Sequence, residues 1–314
     1  MFSRSITTLN IEASSVRVLS IQGRKIKRWG SVSLPSGLIK DTLVLNPAGV
    51  ASAIADLFRS VRVSKSGVVV SLTGFRSISR FVTLPKLRAD QMEEAIRWTA
   101  RREMPVPSEE LRLSWRIVGT QDTEQRVFLL GTPKNLLDTL SQTLQKAGIR
   151  PRAVDLKPLA LARVVGRAEA IILDLEAGSM STVILVKGIP EVMHTATIQQ
   201  EGLLLDDMVQ KLIDDLSRTV GFYNNAHPEH TISPTTPIFL TGEMASAPLV
   251  GLVQKSIGYP VGSIEAGVKL PPDLSLSQYA VNIGLALREM LPRKRDKTAL
   301  AQSRPISMNI LPTK

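Results

Sequence analysis

Apolar and polar residues alternate along three short runs at the start of the chain, 5–11, 16–22 and 25–34, and Gly23 marks a tight turn between the last two. Period-two alternation predicts β-strands, because successive side chains leave a strand on opposite faces. Pro47 then opens a helical stripe through Val50, Ile54, Leu57 and Phe58, and 68–72 is a continuous apolar run of buried-strand length. A segment of different character follows. Residues 77–84 read as a strand, and 89–101 as a helix with Met92, Ile96 and Ala100 on one face. Met104-Pro105-Val106-Pro107 forbids helix continuation. Two strands, 111–119 and 126–131, lead into a helix over 133–146 that Gly148 ends. This β-α-β-β-α order suits a compact insert.

Strands then return at 170–175, 180–187 and 190–198, with Gly188 between the last two. A long helix is predicted over 203–225, carrying Leu205, Val209, Leu212, Leu216, Val220 and Tyr223 on one face. A buried strand at 237–240 and helices at 248–256 and 276–290 complete the pattern. Beyond Pro292 the chain turns polar and basic and reads as a flexible tail.

The chain repeats itself. Asn10-Ile11-Glu12-Ala13-Ser14-Ser15 aligns with Asp174-Leu175-Glu176-Ala177-Gly178-Ser179, each at the turn between a first and a second strand. Two strand–turn–strand–turn–strand units, each leading to helices, predict a duplicated α/β lobe. The equivalent turns then face each other across a cleft. The expected division is 1–76 for the first part of lobe 1, 77–150 for the inserted subdomain, 151–292 for the rest of lobe 1 and lobe 2, and 293–314 for the tail.

Composition narrows the chemistry. The 314 residues include no cysteine, which excludes disulfides, thiolate zinc sites and cysteine nucleophiles. The net charge of +11 is spread along the chain, densest at Arg293-Lys294-Arg295, and aromatic residues make up only 4%. Nucleic-acid binding calls for a basic patch interleaved with aromatics. A solvated basic surface is therefore expected, with no nucleic-acid partner, and an anionic membrane surface or an acidic partner as the second choice. Residues 1–10 are polar and do not read as a signal sequence, and no apolar run is long enough to cross a bilayer. The expectation is a cytoplasmic protein, at most peripheral to the membrane. His227 and His230 flank Pro228 and read as loop residues, not metal ligands. No Gly-x-Ser-x-Gly elbow is present, and Asp206-Asp207 and Asp214-Asp215 read as a solvated helix face.

The duplicated hairpins resemble those of the actin, sugar-kinase and Hsp70 superfamily. That implies an actin-like, two-lobed (ribonuclease H-like) α/β fold with a small inserted α+β subdomain. Within it the chain resembles the type IV pilus assembly protein PilM family, related to the cell-division actin homologue FtsA. Residues 10–19 stand where that family has Asp-Ile-Gly-Ser-Ser-Ser-x-Lys. The insert text Arg102-Glu103-Met104-Pro105-Val106-Pro107-Ser108-Glu109-Glu110 with Trp115 resembles its extra subdomain. Leu216-Ser217-Arg218-Thr219-Val220-Gly221-Phe222-Tyr223 resembles the family's helix ending in Phe-Tyr, Ile238-Phe239-Leu240-Thr241-Gly242-Glu243 stands at its adenosine turn, and Val281 to Arg288 at its last helix. The superfamily holds Mg-ATP between the hairpins. By resemblance the nucleotide contacts fall on Asn10, Ser14, Ser15, Arg17, Asp174, Ser179 and Gly242.

The departures from the pattern point the other way. Glu12 and Glu176 occupy the two phosphate-loop glycine positions, Asn10 replaces an Asp, Arg17 a Lys, and Glu243 the second Gly of the adenosine turn. Opposed unit charges about 4 Å apart cost on the order of 4 kcal/mol even at an effective dielectric of ~20. Two such contacts remove most of a micromolar affinity, worth roughly 8 kcal/mol. Magnesium between Glu and phosphate is one rescue; the expectation is instead a degenerate site with no cofactor and no catalysis. The bland alternative has both glutamates facing solvent, and Arg17 pairing with either is a third arrangement. The family resemblance implies a scaffold on the inner face of the membrane that binds a PilN-like membrane protein. An actin-like ATPase or nucleotide switch is the alternative.

Met308-Asn309-Ile310-Leu311-Pro312 resembles the Ile-Asn-Leu-Leu-Pro peptide of PilN, the partner that docks on PilM. It is either a chance match in a tail or a fused partner peptide. In the second case Ile310 and Leu311 are the apolar anchors, Asn309 a polar one, and Pro312 restricts the free ensemble. By resemblance the groove lies between lobe 1 and the insert, near 77–84 and 89–101, and self-association through this peptide is open.

Overall fold

The computed structural model describes residues 5–74, 76–197, 205–290 and 306–311. Expectations that fall on 198–204, 291–305 and Pro312 lie outside the described residues.

The first lobe opens with an antiparallel meander, β1 (Ser5–Ile11), β2 (Ser15–Gln22) and β3 (Lys25–Ser33). A small hairpin, β4 (Ile39–Lys40) and β5 (Leu43–Val44), precedes α1 (Pro47–Val61). Asn46 caps that helix by accepting from the Gly49 N–H at 3.0 Å, Pro47 supplies the preset first turn, and Arg62 ends it in the left-handed region. β6 (Ser66–Leu72) returns parallel to β1. The insert comprises β7 (Ile78–Pro85), α2 (Ala89–Glu103), a short 3-10 turn at Ser108–Glu110, β8 (Leu111–Gln121) and β9 (Glu124–Pro133). α3 (Lys134–Lys146), β10 (Arg150–Leu156) and α4 (Lys157–Val165) follow. The second lobe holds β11 (Ala170–Glu176), β12 (Ser179–Val186), β13 (Ile189–Thr197), α5 (Leu205–Ala226), β14 (Ile238–Thr241), α6 (Ala247–Ser256) and α7 (Leu276–Met290).

Sheet order shows the duplication directly. The first lobe runs β10-β6-β1-β2-β3 and the second β14-β11-β12-β13. In each, the first strand of a meander also takes a parallel neighbour on its other side, β6 on β1 and β14 on β11. Both sheets are covered on two faces, so their central strands are buried along nearly their whole length and their faces separate by alternation. In β11, Ile171, Leu173 and Leu175 join the core beneath α5 and α6. Ala170 and Ile172 instead face α4 and α7, which lie between the two sheets and also bury Leu19, Ile21 and Val69 of the first lobe.

The α4–α7 crossing is close enough to need glycine. A Cβ on Gly284 would stand 1.9 Å from the backbone oxygen of Ala160. Asn282, two residues earlier on α7, donates to the carbonyls of Thr8 and Arg17 at 3.3 and 3.1 Å and ties the helix to β1 and β2.

Some details differ from the sequence pattern. The insert sheet is ordered β7-β9-β8. Val127 and Leu129 of β9 pack with Met92, Ile96 and Ala100 of α2, whereas Phe128 and Leu130 face the first lobe. α3, grouped with the insert on sequence, buries Leu137, Leu140 and Leu144 in the first lobe's core. β10 and α4 have no counterpart in the sequence pattern, because the run over 153–165 keeps neither period; Pro158, in the first turn of α4, was its one start signal. Asp215 corrects the solvated-face expectation for its helix. It is buried against β12, where Thr182 donates to it at 3.3 Å and His194 lies 3.3 Å away. It shares the inward face of α5 with Leu212 and Thr219, three and four residues away.

Replacing Gly284 by alanine drives a methyl group into a helix backbone that has no room to move. The expected loss is on the order of 3 kcal/mol, read as a lower urea midpoint at unchanged slope. A midpoint equal to the parent's disproves the close crossing.

Candidate functional site

The β1–β2 and β11–β12 turns meet between the lobes, and side chains from both end in one buried network of charges. Strand pairing places Asn10 opposite Arg17 and Asp174 opposite Ser181. Arg17, fully buried, reaches across to the second lobe. Its Nη1 and Nη2 donate to the two carboxylate oxygens of Glu176 at 2.7 and 2.6 Å, and Nη2 also donates to Glu243 Oε2 at 2.7 Å. Lys157, the first residue of α4, is buried as deeply. Its Nζ lies 2.9 Å from Glu12 Oε1 of the first lobe and 2.7 Å from Asp174 Oδ2 of the second. Each cation therefore joins carboxylates that belong to different parts of the chain.

Glu243 occupies the centre of the donor set. Its Oε1 accepts from the Ser14 hydroxyl at 2.8 Å and the Ala177 backbone N–H at 3.2 Å. Its Oε2 accepts from Arg17 at 2.7 Å and from the Ser15 hydroxyl at 3.3 Å. Two hydroxyls, a guanidinium and a turn N–H are the donors a phosphate oxygen takes. Here a carboxylate of the chain itself satisfies them. Gly242 makes that placement possible: its φ is +94°, and a Cβ there would stand 2.1 Å from the Leu175 carbonyl oxygen.

The smaller contacts complete the network. Asn10 donates to Glu12 Oε1 at 3.1 Å and accepts from the Ser71 hydroxyl at 2.5 Å. Thr241 donates to Asp174 Oδ1 at 2.7 Å. Beside it lies a cavity of about 250 Å³ lined by Glu12, Ser71, Thr73, Gly178 and Ser179. Of the residues expected at a nucleotide site, Asn10, Ser14, Ser15, Arg17 and Asp174 thus hold polar contacts in one cluster. Gly242 shapes it and Ser179 stays at its rim. The solvent-facing alternative for the glutamates is overturned, since Glu12 and Glu176 are only 3% and 2% exposed. Arg17 does pair across the cleft, with Glu176 and not Glu12. Lys157 escaped the sequence reading; its one signal is a lone cation before an almost wholly apolar stretch.

The electrostatics follow from crowding. Burial alone lowers the pKa of both cations, yet each is held above its ordinary value, Arg17 by Glu176, Glu12 and Glu243, and Lys157 by Asp174, Glu12 and Glu176. Burial raises the Glu243 carboxyl less than Ser14 and Arg17 lower it, so it stays below its usual range. Glu12, Asp174, Glu176 and Glu243 outnumber Arg17 and Lys157, and the excess negative charge opposes ionisation of Glu176. Burial first, then the Glu12 charge, pushes Glu176 up to about 8.

A second cluster lies on the far side of β10, where 306–311 runs extended along the strand's outer edge. The Ile310 N–H donates to the Val154 carbonyl at 2.9 Å, and the Val154 N–H donates to Asn309 Oδ1 at 3.2 Å. The Met308 N–H donates to Asp155 Oδ1 at 3.3 Å. Ile306, Met308 and Ile310 are 3%, 3% and 0% exposed and enter the core that contains Phe128, Leu130, Val154 and Leu156. Ile310 is thus an anchor as expected, while Leu311 is only half-buried and Met308 and Ile306 were missed. Asn309 serves through its side-chain oxygen. The helix expected to border this groove, 89–101, packs on the opposite face of the insert sheet.

The family model of the type IV pilus assembly protein PilM matches residues 6–205. No curated protein matches the chain. Among solved structures, one described as the PilM-PilN type IV pilus biogenesis complex is similar with a TM-score of 0.74 at 22% identity, over 91% of this chain and 99% of that one. The ethanolamine utilization protein EutJ from Carboxydothermus hydrogenoformans is similar at a TM-score of 0.54 and 12% identity, over 91% and 90% of the two chains. The cytoplasmic domain of EpsL, an inner membrane component of the type II secretion system of Vibrio cholerae, gives 0.51 and 11% over 93% and 97%. The fold is actin-like α/β.

Two outcomes are expected of the charge cluster. Arg17→Met leaves Glu176 and Glu243 without their cation and costs on the order of 3 kcal/mol in chemical denaturation. Glu176 adds a pH dependence whose sign is fixed. Its folded pKa stands above the unfolded value, so between about 4.5 and about 8 the fold holds a proton that the unfolded chain has lost. Stability therefore falls as pH rises through that window, and Glu176→Gln flattens the slope. A slope identical in the variant assigns the proton elsewhere.

Proposed function

Because the chain belongs to the type IV pilus assembly protein PilM family, we propose that it is a non-enzymatic scaffold of a type IV pilus or related secretion platform, bound at the inner face of the cytoplasmic membrane through the cytoplasmic peptide of a PilN-like membrane protein. One observation carries the first half of this reading. The space between the hairpins, where the superfamily places ATP, is spanned by Arg17, Lys157 and Glu243 of the chain itself. The donors for a phosphate already hold Glu243, and the charged side chains of the two turns, Glu12, Asp174 and Glu176, are all carboxylates. These residues do not fit Mg-ATP: its phosphates would have to displace Glu243 and stand beside Glu12 and Glu176.

The second half is supported by the similarity to a chain solved in a PilM-PilN complex. Among the described residues no helix is long and apolar enough to cross a membrane. Attachment through a membrane-spanning partner agrees with that. With the lobes joined by buried charges, the protein offers its partner a rigid surface rather than a nucleotide-driven hinge.

Two measurements check the reading separately. Titration with fluorescent Mg-ATP is expected to show no saturable binding below the millimolar range, and micromolar saturation overturns the degenerate-site half. Co-expression with the PilN-like protein of the same genome is expected to carry the chain into the membrane fraction. An equally soluble chain with and without that protein overturns the partner half.

A further inference from the structure

We propose that the outer edge of β10 is a peptide-docking groove strapped shut by the chain's own residues 306–311, and that an extended segment of a second chain with the same apolar alternation around an Asn exchanges with the strap. The proposal rests on the partner reading above for the identity of the second chain; the strap itself rests on contacts within this one.

The seat is built for an extended peptide. An open strand edge presents unpaired N–H and C=O groups, and an added strand satisfies them. Val154 offers both of its backbone groups to the segment, one to the Ile310 N–H and one to the Asn309 side chain. Ile306, Met308 and Ile310 fall at strand period and are all buried on one side. Both walls hold the segment's carbonyls. Arg116 of the insert donates to the Ser307 carbonyl at 3.1 Å, and Arg163 of α4 donates to that of Ile306 at 3.3 Å. Asp155, paired with Arg163 and with Arg288 at the end of α7, takes the Met308 N–H. These contacts read the segment mainly through its backbone, so another chain of the same pattern meets the same donors and acceptors.

The strap is also displaceable. Its Ser307 hydroxyl is buried with no hydrogen-bond partner, a penalty that a competitor with alanine at that place does not carry. What holds the strap is its tether. A segment joined to its groove within one chain has an effective concentration on the order of millimolar, so a groove of micromolar intrinsic affinity stays occupied in cis. Removing the strap then raises the apparent affinity for a free peptide by about 10- to 100-fold.

The probe is a fluorescently labelled peptide with the sequence of residues 304–314, titrated by anisotropy into the full chain and into Ile310→Asp. Expected is binding at least about tenfold tighter to the variant. Equal affinity overturns the strap, and saturable binding to neither overturns the groove. A protease site placed within 291–305 provides the same comparison without altering a buried residue, for the case in which the variant does not fold. Hydrogen exchange supplies the independent readout: the Ile310 and Met308 amides are expected to be protected in the intact chain and exposed after cleavage and dilution. Exchange at random-coil rate in the intact chain sinks the proposal. If the peptide results hold while the PilN-like protein fails to recruit the chain, only the partner's identity is lost.

Discussion

Taking an ion from water into a protein interior costs several kcal/mol, and the cost is offset only when every charge finds close partners. The space between the lobes is governed by that constraint. Arg17 leaves β2 to meet Glu176 and Glu243, and Lys157 leaves α4 to meet Glu12 and Asp174. Opening the cleft would strip partners from all of them at once. Both cations and their carboxylate partners are covalent parts of the chain, so the contact between the lobes is held by the protein's own side chains.

Such a network holds its geometry only if the elements that deliver the charges are themselves fixed. α4 and α7 do this from between the sheets. Their approach at Gly284 and Ala160 is a backbone contact, and Asn282 fastens α7 to both strands of the first hairpin. α4 then connects the two clusters. Its first residue, Lys157, enters the cleft, and Arg163, near its other end, holds Asp155 and the docked segment 306–311. The rigid cleft is thus the foundation of the groove wall.

The amino-acid sequence by itself determined the elements and their repetition. Alternation in the two meanders, the stripes of α1, α2 and α5, and the Asn10–Ser15 and Asp174–Ser179 match were enough for two lobes and a cleft, because period and turn chemistry are local properties. It also named most residues of the cleft and, by resemblance, put glutamates where a phosphate loop has glycine. Only the tertiary structure decided where those charges went. That Glu243 accepts from Ser14, Ser15 and Arg17, that Lys157 is the second cation, and that Asp215 is buried all depend on contacts between residues far apart in the chain. The docked segment follows the same rule. Its strand-like alternation of Ile306, Met308 and Ile310 was written in the tail, but a short apolar pattern has no meaning until an open strand edge lies beside it.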